Sequence, residues 1–223
     1  MKQFFLTASL LTIAASANAQ NVDTILARMD QAAPAFLGMS ADVRMSTYTA
    51  ILSDTTTENG TLKMQRLKNG DMRAILDFSA ATDARVIAFL GKIVRVYYPK
   101  LNAYQDYDVG KNSQALNQYL LLGFGSSGKA LVASYKITAE GTEKIEGQDT
   151  TKLLLIPKDN SVLTRLTKVE IWVPTDASYP VQQQFYEPSG NWRRVIYTQI
   201  TLNPPIAGTL DLKLPRGAKR QSQ

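Results

Sequence analysis

The sequence predicts a mainly β protein: one curved antiparallel sheet or partial barrel of about eleven to twelve strands, with helices at only two places. Three observations carry that reading. Short alternating or β-branched runs follow one another along most of the 223 residues, separated by Gly, Pro, Asn and Asp turn signals. Helical periodicity is confined to the start of the chain and to a central stretch near residue 120. Between Arg85 and Asp108, three strands are joined by two tight turns. There Gly91 supplies the positive φ of a short turn, and Pro99 removes a ladder donor before Lys100-Leu101-Asn102 reverses the chain. This meander is expected in the middle of the sheet, with Tyr104 and Tyr107 on opposite faces of its last strand.

The elements follow in order. Lys2, the apolar run Phe4–Ala15 and Ala17-Asn18-Ala19 have the layout of an export signal, so residues 1–19 read as a signal peptide cleaved before Gln20. Residues 20–223 then form a single exported domain. Val22, Ile25, Leu26 and Met29 recur at helical spacing, which predicts a helix from about Val22 to Ala33, capped by Asn21 or Asp23 and ended by Pro34. Ser40–Leu52 alternates, with Ala41, Val43 and Met45 on one face. Thr57–Leu67 alternates likewise, with Leu62 and Met64 on the apolar face, and Arg66 falls on that same face. Asn69-Gly70 is a hairpin turn, and Met72, Ala74, Leu76 and Phe78 continue the apolar face on the next strand.

After Gly110, Ser113–Leu122 reads as a helix with a Ser cap and Gly123 as its stop, and Ser126 or Ser127 caps a second short helix to Ser134. Strands resume at Tyr135–Ala139, Thr142–Glu146, Thr150–Ile156, Thr167–Val173, Val181–Glu187, Trp192–Leu202 and Thr209–Leu214. Turns separate most of them, among them Lys158-Asp159-Asn160. No linker and no internal repeat interrupts the series.

Composition narrows the chemistry. With no His and no Cys, hydroxyl–imidazole triads, thiolate nucleophiles, disulfides and the usual zinc ligand sets are excluded. The formal charge of +6 is scattered along strands rather than blocked, which argues against nucleic acid as a partner. Gly123-Phe124-Gly125-Ser126-Ser127-Gly128-Lys129-Ala130 matches GxGxxG, but Ala130 lacks the hydroxyl that a P-loop needs on its metal, and a helix precedes it where a buried strand is required. The run reads as a Gly-rich turn between two helices. Asp106 and Asp108 share a strand face, roughly 7 Å apart at their α-carbons. They are the one carboxylate pair in which acid–base chemistry is conceivable, against the plainer reading of solvated charges at a strand end.

Arg66 is the informative residue. A guanidinium on an inner, apolar strand face is costly unless it is hydrogen-bonded. A bulge or snorkelling to the sheet edge accounts for it plainly. The sharper account is a polar latch that donates to the backbone of whatever covers the sheet. The helix Ser113–Leu122 is the natural cover, with Leu116, Tyr119 and Leu120 facing the sheet and the glycine run after it acting as a mobile hinge.

Four stretches then carry a resemblance to a known family: Gly60–Arg66 (GTLKMQR), Gly91–Pro99 (GKIVRVYYP), Leu153–Lys158 (LLLIPK) and Leu212–Gly217 (LKLPRG). In this order and spacing the chain resembles the LolA-like outer-membrane lipoprotein carriers, the periplasmic chaperones of lipoprotein sorting. Leu67, Leu90 and Arg95 depart from the usual Pro, Asp and Trp at those places. The resemblance implies an unclosed antiparallel β-barrel with an N-terminal helix and central helices forming a lid. It implies a carrier rather than an enzyme, without cofactor or metal, that holds acyl chains in a hydrophobic cavity and ferries them toward the outer membrane. It implies Arg66 as the lid latch, and Leu62, Met64, Met72, Leu76, Phe78, Val94, Val96, Leu116, Tyr119 and Leu120 as cavity wall. A monomer is implied, with an inner-membrane release complex and an outer-membrane acceptor as partners. The same architecture also serves lipid-sensing and envelope-stress modules, which is the alternative reading.

Overall fold

In the computed structural model, which describes residues 12–112 and 122–221, the chain builds one twelve-stranded sheet that hydrogen bonds do not close. Helix α1 spans Thr12–Ala32 and runs into a 3-10 turn at Ala33–Ala35. Six strands follow: β1 (Gly38–Thr49), β2 (Asp54–Arg66), β3 (Met72–Asp77), β4 (Val86–Leu90), β5 (Ile93–Tyr98) and β6 (Ala103–Asp108). Helix α2 (Gly128–Ser134) leads into β7 (Tyr135–Ile145) and β8 (Gln148–Pro157). The short helix α3 (Asn160–Leu163) precedes β9 (Lys168–Pro174), β10 (Gln182–Tyr186), β11 (Trp192–Leu202) and β12 (Lys219–Arg220). In space the order is β12-β6-β5-β4-β3-β2-β1-β11-β10-β9-β8-β7. All neighbours are antiparallel except β12, which pairs with β6 in parallel.

Several expectations are corrected. The Arg85–Asp108 meander lies at one end of the sheet, because β1 and β11, far apart in sequence, pair across the centre (Val43 opposite Tyr197). Tyr135–Ala139 and Thr142–Glu146 are one strand: Gly141, at φ 112°, forms an irregularity in the ladder and not a turn. Thr209–Leu214 is not a strand. Side chains on the sheet's outer face take its backbone groups instead: Leu210 N–H donates to Gln65 Oε1 at 2.6 Å, Gln65 Nε2 donates to Gly208 O, and Arg73 Nη1 donates to Leu210 O.

Residues 50–52 leave the expected first strand as a 3-10 turn, closed by Ser53 at φ 50°. Asp159 caps a short helix where a turn was expected, its carboxylate accepting from Ser161 N–H. Asn21 and Asp23 lie inside α1, not at its start, because the Ala-rich residues before them are good helix formers. The predicted helix Ser113–Leu122 lies outside the described residues except for Leu122.

Most of the core sits on the concave face in two parts, and a smaller third cluster gathers Ile145, Trp172 and Val181. Val22, Ile25, Leu26 and Met29, the periodic face of α1, pack against Leu153 and Leu155 of β8, Val169, Ile171 and Val173 of β9, and Phe185 of β10. The second part gathers Met39, Ala41 and Val43 of β1, Leu62 and Met64 of β2, and Met72 and Ala74 of β3, together with Phe36, Phe124 and Tyr197. Helix α2 approaches α1 so closely that a Cβ at Gly128 would lie 2.4 Å from Leu26 O, so only glycine fits there.

Two substitutions test this packing. Leu155→Ala, at a fully buried site, is expected to cost about 2–5 kcal/mol in urea unfolding through the cavity it leaves. Gly128→Ala is expected to cost about 1–3 kcal/mol by forcing α1 and α2 apart. A Gly128→Ala midpoint equal to wild type would show that the helices are not held in this contact.

Candidate functional site

On the concave face the inward side chains of β1–β4, β10 and β11 change character along the strands. The register places Leu62 opposite Ala41 and Leu76, and Met64 opposite Met39 and Ala74, which makes an apolar floor. Further along β1, Met45 lies between Val195 and Glu58, and Thr47 lies between Arg193 and Thr56. Since alternate residues of a strand share a face, the floor passes into a polar rim within two rungs.

The described residues enclose a cavity of about 330 Å³ over that floor. Of the wall residues expected from sequence, Leu62, Met64, Leu76 and Phe78 line it. Met72 is fully buried beneath, in the core and not on the wall. Val94 and Val96 pair with Phe89 and Ile87, which do line the cavity, so both point to the concave side, but one strand beyond the cavity's edge. Leu116, Tyr119 and Leu120 lie outside the described residues. Sequence reasoning missed Met45, Phe89, Phe124, Phe185, Val195 and Tyr197 as wall residues. Alternation along Gln182–Tyr186 and Trp192–Leu202 marks two faces, but only the pairing of β11 with β1 says which one is concave.

Phe124 is the part of the glycine run that enters the cavity. It is buried, and its ring meets Tyr197 edge-on with centroids 4.9 Å apart. Two anchors hold the surrounding backbone. Gln183 Nε2 donates to Leu122 O while its Oε1 accepts from Tyr197 Oη. Arg66 Nη2 donates to Gly125 O at 2.7 Å, and Arg66 Nη1 donates to Ala33 O at 2.9 Å. The guanidinium stacks over Phe36 with its carbon 5.3 Å from the ring centroid. Burial lowers the pKa of Arg66, but a guanidinium keeps its charge regardless. Gly125 has φ +69°, and a Cβ there would fall 2.3 Å from Phe36 and 2.9 Å from Arg66 Nη2, so the residue allows both the turn and the latch contact. The run after Leu122 is thus pinned at two carbonyls, where the sequence suggested a free hinge.

At the rim, Arg85 meets both oxygens of Glu58 at 2.6 Å and lies over the Phe78 ring at 5.1 Å. The hydrogen bonds from Arg85 hold the Glu58 carboxyl below the ordinary range, against the opposing effect of burial. Asp106 and Asp108 are not a working pair. Asp106 takes a bidentate contact from Arg95, at 2.7 and 2.9 Å, on the convex face, and Asp108 accepts from Gly110 N–H. The departure at Arg95 is explained by that ion pair. Among the described residues no group of His, Cys, Asp or Glu is placed to hold a metal ion, and no helix is long and apolar enough to cross a membrane.

The fold is one unclosed twelve-stranded sheet with few helices among the described residues. No protein-family model and no curated protein matches the chain. Among solved structures, it is similar to an uncharacterized conserved protein from Thermus thermophilus, at 12% identity and TM-score 0.51, covering 91% of this chain and 99% of that one. It is similar to MucB at 13% identity and TM-score 0.50, covering 84% of this chain and 61% of the MucB chain. The Mycobacterium tuberculosis lipoprotein LppX matches at 17% identity and TM-score 0.49, covering 83% and 98%. At these identities the likeness concerns the fold.

The Glu58–Arg85 pair makes a pH prediction. A carboxylate whose folded pKa is depressed contributes stability above its unfolded value, near 4.3, and loses it as pH falls through the folded value. The melting-temperature gap between wild type and Glu58→Gln should therefore be full at pH 7 and shrink as pH falls below about 4. A gap independent of pH between 7 and 3 would show that the pair contributes nothing through charge.

Proposed function

We propose that the chain is a periplasmic carrier that shelters the acyl chains of a lipoprotein, or of another amphiphile, and ferries them toward the outer membrane. The observation that supports this most is the apolar cavity on the concave face, roofed in part by Phe124 and by backbone that Arg66 pins. Each methylene moved from water into such a site gains about 0.8 kcal/mol, so a chain in transit needs a dry wall. Carriage itself requires no bond to be broken. The proposed exported form begins at Gln20, and among the described side chains the helix residues that pack on the sheet, Val22 to Met29, follow that point. Removal of residues 1–19 leaves the α1 contact intact on this reading.

In the carrier, Arg66 acts as the latch. Its two hydrogen bonds join the glycine run and the turn after α1 to β2, so their rupture leaves the roof held by Gln183 alone among the two anchors. A hydrogen bond from a charged donor is worth about 1.5–3 kcal/mol, and about 1.4 kcal/mol is a factor of ten in rate or affinity. Arg66→Leu is thus expected to release a bound fluorescent amphiphile roughly tenfold faster or more. Its melting temperature should fall only modestly, because a half-buried cation leaves together with its bonds. A variant that melts far lower yet releases at the native rate would make Arg66 a purely structural residue.

The carrier reading is tested by mass spectrometry of lipids that copurify with the native protein. Recovery of acyl-bearing molecules is expected. Ester turnover that disappears in Asp106→Asn would replace the carrier with a hydrolase.

A further inference from the structure

The apolar cavity opens into a second, polar recess, and the two share Met45, Arg85 and Arg193. The recess has a volume of about 990 Å³, and its wall carries the acidic residues Glu58 and Asp83 as well as the two arginines. These charges are not equivalent. Arg85 and Glu58 neutralise each other through a bidentate contact, and the charge of Asp83 also acts on Arg85. Arg193 is exposed, and its guanidinium makes no hydrogen bond or ion pair with any described residue. It is therefore the one cation at this opening, among the described residues, whose charge is unanswered. Its neighbour across the ladder is Thr47, itself opposite Thr56, so hydroxyls flank the guanidinium on the polar rung. One rung inward the same strands carry Val195 and Met45, on the wall of the apolar cavity.

A long apolar space that ends at an unpaired guanidinium is the outline of an amphiphile with a negative head. We propose that the site takes a single-chain amphiphile with an anionic oxyacid head group. Its alkyl chain lies in the apolar cavity, and its carboxylate or phosphate rests on Arg193. The assignment deepens the carrier reading and rests on it. Size supports one chain over several: about 330 Å³ is near the lower bound of the roughly 300–1,000 Å³ found for sites that enclose small ligands. Chemistry supports the anion: guanidinium presents a planar fork of donors that fits carboxylate and phosphate oxygens, and such charge-assisted bonds are roughly twice as strong as neutral ones. A neutral head would leave the cation at the mouth without a partner and gain nothing from it.

The test uses the purified protein loaded with the neutral dye N-phenyl-1-naphthylamine. The dye is displaced by dodecanoate, dodecyl phosphate, dodecylphosphocholine and dodecyl maltoside, each below its micelle concentration. Wild type is expected to bind dodecanoate or dodecyl phosphate about tenfold tighter than the maltoside, with the gap narrowing in 0.5 M salt as screening grows. The stronger of the two anions identifies the head group. Arg193→Gln should bring the anionic members down to the maltoside's affinity, while Arg193→Lys keeps part of the preference. Equal affinity for all heads in wild type, or a preference that survives in Arg193→Gln, overturns the assignment and leaves the carrier reading standing. Displacement by none of the four overturns both. Inorganic phosphate is expected to leave the dye in place. If it displaces the dye as well as dodecyl phosphate does, the arginine serves a free anion and the amphiphile assignment falls.

Discussion

A guanidinium that faces an apolar floor with no carboxylate to answer it organises the described half-barrel. Arg66 leaves β2 on the concave side and resolves its charge with two carbonyl oxygens, Ala33 O and Gly125 O, from segments more than ninety positions apart in the chain. A carboxylate partner would have fixed the cation to one place. Carbonyls instead make it a clasp, because each one belongs to a backbone that has other work. Ala33 ends α1, whose apolar face covers β8–β10, and Gly125 follows Phe124, which covers β1–β3 and β11. This side chain is one link between the two parts of the core, and Gln183, bonded to Leu122 and Tyr197, is another. A lysine offers one point of charge in place of a fork and would reach both oxygens poorly.

The rest of the concave face depends on that clasp and on the strand register. An open sheet this broad exposes its inner side unless something lies across it, and here α1 does so over one half only. Over the other half the described cover is Phe124, with Leu122 O and Gly125 O held from below by Gln183 and Arg66. The change from Val195 and Met45 to Arg193 and Thr47 along two strands gives the cavity beside it a polar mouth. Apolar floor and charged rim therefore follow from the pairing of β1 with β2 on one side and with β11 on the other.

The convex face is built differently. It is stiffened by charge and by side-chain-to-backbone bonds around a small apolar cluster of Ile145, Trp172 and Val181. Arg95 and Asp106 pair across β5 and β6, and that contact holds Asp106 below the ordinary carboxyl range. Burial pushes the Glu170 carboxyl up, but hydrogen bonds from Lys168 and Tyr186, with the charge of Lys152, more than offset it. The segment after β11 crosses this face and is held by Gln65 and Arg73 before its last residues join β6. These contacts stand in for the disulfides that a chain without cysteine lacks.

What the sequence determined by itself is the local layer: the alternation of β1, β2 and β3, the turns at Gly91 and Asn102, the apolar stripe of α1, a serine cap for α2 at Ser126 or Ser127, and an arginine on the wrong face of a strand. Those features are legible because period, turn geometry and capping are set by residues within a few positions of one another. Tertiary structure decided the rest. The β1–β11 pairing moved the meander from the centre to the end of the sheet, and bonds from Gln65 and Arg73 kept Thr209–Leu214 from becoming a strand. Met72 went into the core, Val94 and Val96 past the cavity's edge, and Arg193 to its mouth. Each of these outcomes depends on distant partners or on the sheet's curvature, and a linear pattern carries no record of which distant strand will lie alongside.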